Sequence, residues 1–285
     1  MRKAITLRAF AREMALQQRL ELARKAGYEG VEVNLEPGEM VTLDSDEGQL
    51  TSVRLQIEAA GMCVSAVYSR LQWLYPITSQ LRATRHQGQA VVERLIWAAQ
   101  LLGTDTVLTL PGAVDNSAFS STPEIVPYDL AYKTALEVLS EVECVAKRCC
   151  VRLALENVWN KFLLSPLEFA HFVDELNSPW IGVYFDVGNV MRTGVPEDWI
   201  RILGPRIKRV HLKDFRTSVD TIAGFVNLLE GDVNWPAVMT ALRSVGYKSW
   251  LTAEVLPRYH HHGERLIYET STSMDAIMGR ANKED

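Results

Sequence analysis

What this chain of 285 residues lacks removes several classes of protein. No apolar run approaches the roughly 20 residues that a membrane-spanning helix needs. Positive charge is not in excess. The 30 Lys and Arg face 35 Asp and Glu, a formal net charge of −5, which argues against a nucleic-acid partner that would meet a basic face. The opening residues, Met1 to Arg8, show neither the apolar stretch nor the small-residue cleavage site of a secretion signal. The expectation is a cytoplasmic protein with no membrane partner. Cysteine is scarce: Cys63, Cys144, Cys149 and Cys150 make no Cys-x-x-Cys pair, and the last two are adjacent. Reduced, largely buried thiols are expected. No glycine-rich phosphate turn follows the first apolar run, which counts against a doubly wound open sheet.

What is present is a recurring unit. Four times a helical pattern ends in glycine and a β-branched run begins a few residues later, at Gly27, Gly61, Gly103 and Gly246. Glycine enters the left-handed cap conformation without a Cβ penalty. Repeated helix–Gly–strand junctions imply successive crossovers into a parallel sheet. The pattern places strands near 3–7, 30–35, 62–68, 105–110, 151–156, 181–186, 207–212 and 249–255. Helices fall near 12–26, 46–60, 80–102, 128–149, 166–176, 197–203, 235–245 and 264–279. Ser165-Pro166-Leu167-Glu168 reads as a capping box, and Asn234 opens a later helix. Eight of each element is the count of a closed (β/α)8 TIM barrel, here a single α/β domain over 1–285. The loops 69–79, with Trp73 and Tyr75, and 111–127 then lie on the face that carries active sites in such barrels.

The last four strands share an ending. Leu153-Ala154-Leu155 closes on Glu156, Val183-Tyr184-Phe185 on Asp186, Arg209-Val210 on His211 and Leu251-Thr252-Ala253 on Glu254. Burying such groups is costly unless they meet around something that compensates their charge. In a barrel they come from consecutive strands, so one divalent cation can serve all four. Three carboxylates and an imidazole, with no thiolate, suit Mn2+, Mg2+ or Co2+ better than a structural zinc. Solvated rim charges, or ion pairs with Lys213 and Arg216, would be the alternative. Four strands ending alike weigh against it.

The motifs Leu155-Glu156-Asn157, Phe185-Asp186-Val187-Gly188-Asn189, Val210-His211-Leu212-Lys213-Asp214, Glu230-Gly231-Asp232-Val233-Asn234-Trp235 and Thr252-Ala253-Glu254 resemble the xylose-isomerase-like barrel superfamily. Within it they are similar to ketose 3-epimerases, L-ribulose-5-phosphate 3-epimerases included. The resemblance implies an isomerase acting on a sugar or sugar phosphate, with a metal ion, Mn2+ first and Mg2+ or Co2+ after it, on Glu156, Asp186, His211 and Glu254. It further implies that Glu156 and Glu254 are the catalytic acid/base pair, working at C3 through a cis-enediolate. Epimerisation does need a proton carrier on each side of the carbon.

Asn189 stands where many members of that group have histidine, and can only hydrogen-bond a substrate hydroxyl. The segment Val158-Trp159-Asn160-Lys161-Phe162 departs from the Asn-Arg-x-Glu pattern of free-ketose epimerases. Arg216 is a second candidate for a substrate hydroxyl, Lys161 for a phosphate and Trp73 for the pocket wall. Lys213 and Asp214 are candidates for a mutual salt bridge, and Glu32 ends the second strand facing the pocket. His260-His261-His262 points in different directions and makes a poor metal site. An aldose–ketose or inosose isomerase, or a dehydratase, would use the same centre. A DNA-repair endonuclease of the related barrel group would need more rim histidines, whereas His86 and His171 fall in helices. A sugar-binding sensor or partner subunit would need no glutamate pair. A dimer or tetramer is the expected homo-oligomer.

Overall fold

The computed structural model describes residues 1–280 except 118, 119, 121 and 256. Its strands are β1 (Arg2–Thr6), β2 (Gly30–Asn34), β3 (Cys63–Tyr68), β4 (Thr106–Thr109), β5 (Arg152–Glu156), β6 (Ile181–Asp186), β7 (Ile207–Leu212), β8 (Asp214–Phe215), β9 (Phe225–Val226) and β10 (Trp250–Ala253). Eight of them close into a parallel barrel in the order β1-β10-β7-β6-β5-β4-β3-β2, while β8 and β9 pair as a small antiparallel ribbon. The helices are α1 (Leu16–Lys25), α2 (Glu47–Ala59), α3 (Leu71–Leu74), α4 (Arg82–Leu102), α5 (Tyr128–Cys149), α6 (Pro166–Glu175), α7 (Val187–Val190), α8 (Pro196–Leu203), α9 (Trp235–Ser244) and α10 (Gly263–Met278). No helix among the described residues is long and apolar enough to cross a membrane.

Strand periodicity divides the apolar residues between two cores. Val67, Val107, Leu153, Leu155, Val183 and Phe185 join the helix residues Leu95, Leu139, Phe172 and Ile200 in one large cluster. Residues of opposite parity, Ala66, Tyr68, Leu108, Ala154 and Tyr184, form a small cluster that fills the barrel. Each fully buried Leu, Ile or Phe contributes about 1.5–3 kcal/mol relative to exposure.

At the amino-terminal end of the strands the barrel is closed by Arg209, 7% exposed. Its guanidinium donates to the Ser65 carbonyl at 2.8 Å and the Ser249 hydroxyl at 2.9 Å, and pairs with Asp105 at 2.5 Å. Arg152 reaches the other oxygen of the same carboxylate.

Gly27, Gly61, Gly103 and Gly246 all have positive φ, between 72° and 87°, as the junction pattern requires. The first helix begins at Leu16 rather than near 12. The buried Arg19 side chain explains the delay, because it donates to the carbonyls of Leu7, Arg12 and Met14 and so holds that stretch as loop. Ser165 caps α6 by accepting from the Glu168 amide, but the return bond of a capping box is absent. Glu168 instead accepts from the Tyr128 hydroxyl and the Leu164 amide. The cysteines are free, yet they are not buried as expected: Cys63, Cys144 and Cys150 are exposed and Cys149 half-buried. Cys150 is the left-handed cap of α5, at φ 54°, and Cys63 opens β3 on the rim beside Arg2.

Candidate metal centre and active site

The four strand endings converge. One donor atom each from Glu156, Asp186, His211 and Glu254 lies within 4.8 Å of the other three. Glu156 pairs with Tyr184, Asp186 with His211 and His211 with Thr252, so the groups step up by two residues from Glu156 to Asp186 and again from His211 to Glu254, the stagger by which tilted strands bring their ends to one rim. His211 Nδ1 is 3.3 Å from Glu156, 3.7 Å from Asp186 and 3.5 Å from Glu254.

The other imidazole nitrogen is fixed from across the barrel. His211 Nε2 lies 3.1 Å from Glu32 Oε2, which also accepts from the Tyr184 hydroxyl at 2.6 Å. A buried carboxylate that accepts from Nε2–H leaves Nδ1 aimed at the three acidic groups, the usual outer support of a metal-binding histidine. Sequence reasoning put Glu32 near the pocket but could not give it this partner, which lies 179 residues away.

Asp186 is held on both sides. Its amide donates to Asn157 Oδ1 and its carbonyl accepts from Asn157 Nδ2, both at 2.8 Å. Its Oδ1 accepts from the Asn189 amide at 2.7 Å. Gly188 allows this turn to approach β7 closely, for a Cβ there would sit 2.8 Å from the Lys213 carbonyl oxygen. Oδ2 is different: it is buried and has no hydrogen-bond partner. The Lys213 ammonium lies 3.1 Å from it, an ion-pair distance without hydrogen-bond direction. Lys213 bonds to Glu254 Oε2 at 2.6 Å, so it does not pair with Asp214 as the sequence suggested. Asp214 instead organises the following loop, accepting from the amides of Phe215, Leu229 and Val233 and from the Trp235 indole.

Charge divides the two glutamates. Burial, with Asp186 and Glu254 beside it, raises Glu156 to about 7 against the opposing pull of His211. Burial acts on Glu254 too, but the Lys213 and His211 charges overcome it and hold that carboxyl at about 2. His211 is pulled down by burial and raised well above its ordinary value by Glu32 and Glu156. The cluster therefore demands positive charge at Nδ1. An orphaned Asp186 oxygen, two further carboxylates and a directed imidazole nitrogen fit a hard divalent cation. Glu156, Asp186, His211 and Glu254 would hold it.

Above the cluster is a cavity of about 140 Å3, lined in part by Glu32, Tyr68, Trp73, Trp159, Asn189 and Lys213. That is about the space of five waters, the scale of a small sugar. Trp73 and Asn189 thus stand in its wall. The Asn189 side-chain Nδ2 donates to the Asn157 carbonyl at 2.9 Å, and its Oδ1 lies 3.4 Å from Lys213 Nζ. Arg8 and Arg70 also reach this wall, which strand-end reasoning missed because neither ends an apolar run. Lys161 is elsewhere. It pairs with Asp115 at 2.8 Å and lines a separate, larger cavity. Arg216 is not brought to the centre either, since it is exposed and its Nε is taken by the Glu230 carbonyl at 3.0 Å. His260, His261 and His262 are exposed.

A family model described as the xylose isomerase-like TIM barrel matches residues 20–276. A putative L-ribulose-5-phosphate 3-epimerase of Escherichia coli is 24% identical over 263 residues, 87% of this chain and 86% of the relative. An L-ribulose-5-phosphate 3-epimerase from another Escherichia coli strain is 28% identical over 250 residues, 81% and 78% of the two chains. Among solved structures, an L-ribulose 3-epimerase superposes with a TM-score of 0.78 at 20% identity, over 98% of this chain and 94% of that one. That likeness is one of fold.

Proposed function

The chain belongs to the xylose isomerase-like TIM barrel family and is an enzyme of the isomerase class, and on that premise we propose that it is a metal-dependent 3-epimerase of a ketose or ketose phosphate. The observation that carries this reading is the glutamate pair. Glu156 and Glu254 come from strands separated by β6 and β7 and flank one centre.

A divalent cation, when bound, supplies positive charge that polarises the ketose carbonyl and stabilises the enediolate. The chain's own groups do the rest. Glu254, kept ionised by Lys213, takes the C3 proton from one side of the substrate. Glu156 returns one from the other side. In the reverse direction the roles exchange. Asn189 and Trp73 position the sugar, and Glu32 keeps His211 in orientation.

The test is hydrogen exchange at carbon. The Mn2+-loaded protein is incubated in D2O with ketopentoses, ketohexoses and their phosphates, and the labelled carbon is located by NMR. Label at C3, with the C3 epimer accumulating, is the expected result. Label confined to C1 or C2 would mean aldose–ketose isomerisation and would remove the 3-epimerase assignment.

A further inference from the structure

A second cavity, larger than the one above the metal-directed groups, opens beside it. It measures about 690 Å3 and lies between the loops that follow β5 and β6 and the loop that joins β8 to β9. It shares Val158, Trp159, Asn189 and Ile222 with the smaller cavity, so the two adjoin along that wall.

The annex is built chiefly of apolar side chains, among them Phe162, Leu163, Leu164, Val190 and Trp199. The charged groups at its rim are matched one for one: Lys161 with Asp115 at 2.8 Å and Arg192 with Asp220 at 3.1 Å. No cation among them is left over for a phosphate. Trp159 offers ring rather than donor, because its indole N–H is engaged by the Asn189 carbonyl at 2.9 Å and its ring stacks on Phe225 at 4.9 Å.

The wall is also held in an unusual backbone. Lys161 and Leu163 adopt positive φ, 58° and 53°, a conformation that bulky side chains rarely take and that persists only where surrounding structure enforces it. Asn160 enforces it here. Its side chain donates to the Gly112 carbonyl and accepts from the Phe162 amide, while the Tyr128 hydroxyl accepts from the Leu163 amide. This is the same segment that departs in sequence from the free-ketose pattern.

We propose that the substrate carries an uncharged, apolar substituent at the end remote from its reacting carbons, and that this substituent lodges in the annex. The inference rests on the epimerase reading and adds the substrate class. A charged phosphate would enter apolar surroundings without a counter-charge, whereas an aryl or alkyl group would displace water from surface already shaped for it.

The experiment compares a ketopentose, its 5-phosphate and its 5-O-benzyl ether with the Mn2+-loaded enzyme. The ether is expected to show a kcat/KM at least tenfold above the free ketopentose, mostly through KM. Thr193→Trp, which fills the annex from its exposed rim, and Leu164→Asp, which charges it, should each bring that ratio towards one. An ether no better than the free sugar would overturn the proposal. So would a preferred 5-phosphate whose advantage disappears in Lys161→Met. If none of the three exchanges hydrogen, the epimerase reading fails separately, and binding decides the annex. A tenfold lower Kd for the ether, read by tryptophan quenching and lost in Thr193→Trp, supports it, whereas equal Kd values reject it.

Discussion

The two ends of the barrel handle buried charge in opposite ways. At the amino-terminal end Arg209 meets a carboxylate, a carbonyl and a hydroxyl, and Asp105 has a second arginine. At the carboxyl-terminal end Glu32, Glu156, Asp186 and Glu254 surround one imidazole and one ammonium, and a buried Asp186 oxygen has no hydrogen bond. Each ion that is truly buried, Arg209 at one end and most of the cluster at the other, costs several kcal/mol before compensation. One end is compensated from within the protein, and the other only if something arrives. That contrast separates a plug from a site, and it does so without reference to any relative.

The largest effect should come from the proton carriers. Glu156→Gln and Glu254→Gln are each expected to reduce C3 exchange by about 10²–10⁴-fold while circular dichroism stays unchanged. A variant with near-normal exchange would erase the functional half of the contrast. Next is the cation. Chelation should silence turnover and Mn2+ should restore it. At 100 times its dissociation constant the ion should stabilise the fold by about 2.7 kcal/mol, an increase in Tm of roughly 4–5 °C for a chain of this length. Asp186→Asn should lose most of that increase.

The opposite end should respond only in stability. Arg209→Met removes several hydrogen bonds to buried groups and is expected to cost about 1–3 kcal/mol, seen in urea unfolding, with kcat/KM within about twofold of the parent. A large loss of activity would show the ends to be coupled. The smallest effect is on the acid limb. Burial pushes Asp105 up, but the Arg209 charge, helped by Thr106 and Arg152, leaves it below its ordinary 3.8. Its contribution is therefore complete above pH 3.8 and is lost as pH falls through the lower folded value. Asp105→Asn should flatten that part of the Tm–pH curve slightly, because the carboxylate is 49% exposed and well screened.

Much of the fold could be read from periodicity, because both strands and helices here bury long apolar faces. The α1 start at Leu16 could not, since it depends on what the Arg19 guanidinium reaches. Nor could the β8–β9 ribbon, whose two-residue strands are too short to carry a period. Cysteine exposure was misjudged for a related reason: residue type gives an average, and a helix cap or a strand's first residue is a particular place.

The same division runs through the site. Glu156, Asp186, His211 and Glu254 announced themselves because a charge that ends a buried strand is anomalous within its own few residues. Glu32 as the partner of His211, Lys213 as the bridge to Glu254, and the separation of Lys161 and Arg216 from the centre depend on which groups face each other across a closed barrel. Local sequence determined the strands, their endings and the type of donor each offers. Tertiary structure alone decided the pairings, the orphaned oxygen and the annex, because barrel closure brings together residues from a few tens to 179 positions apart.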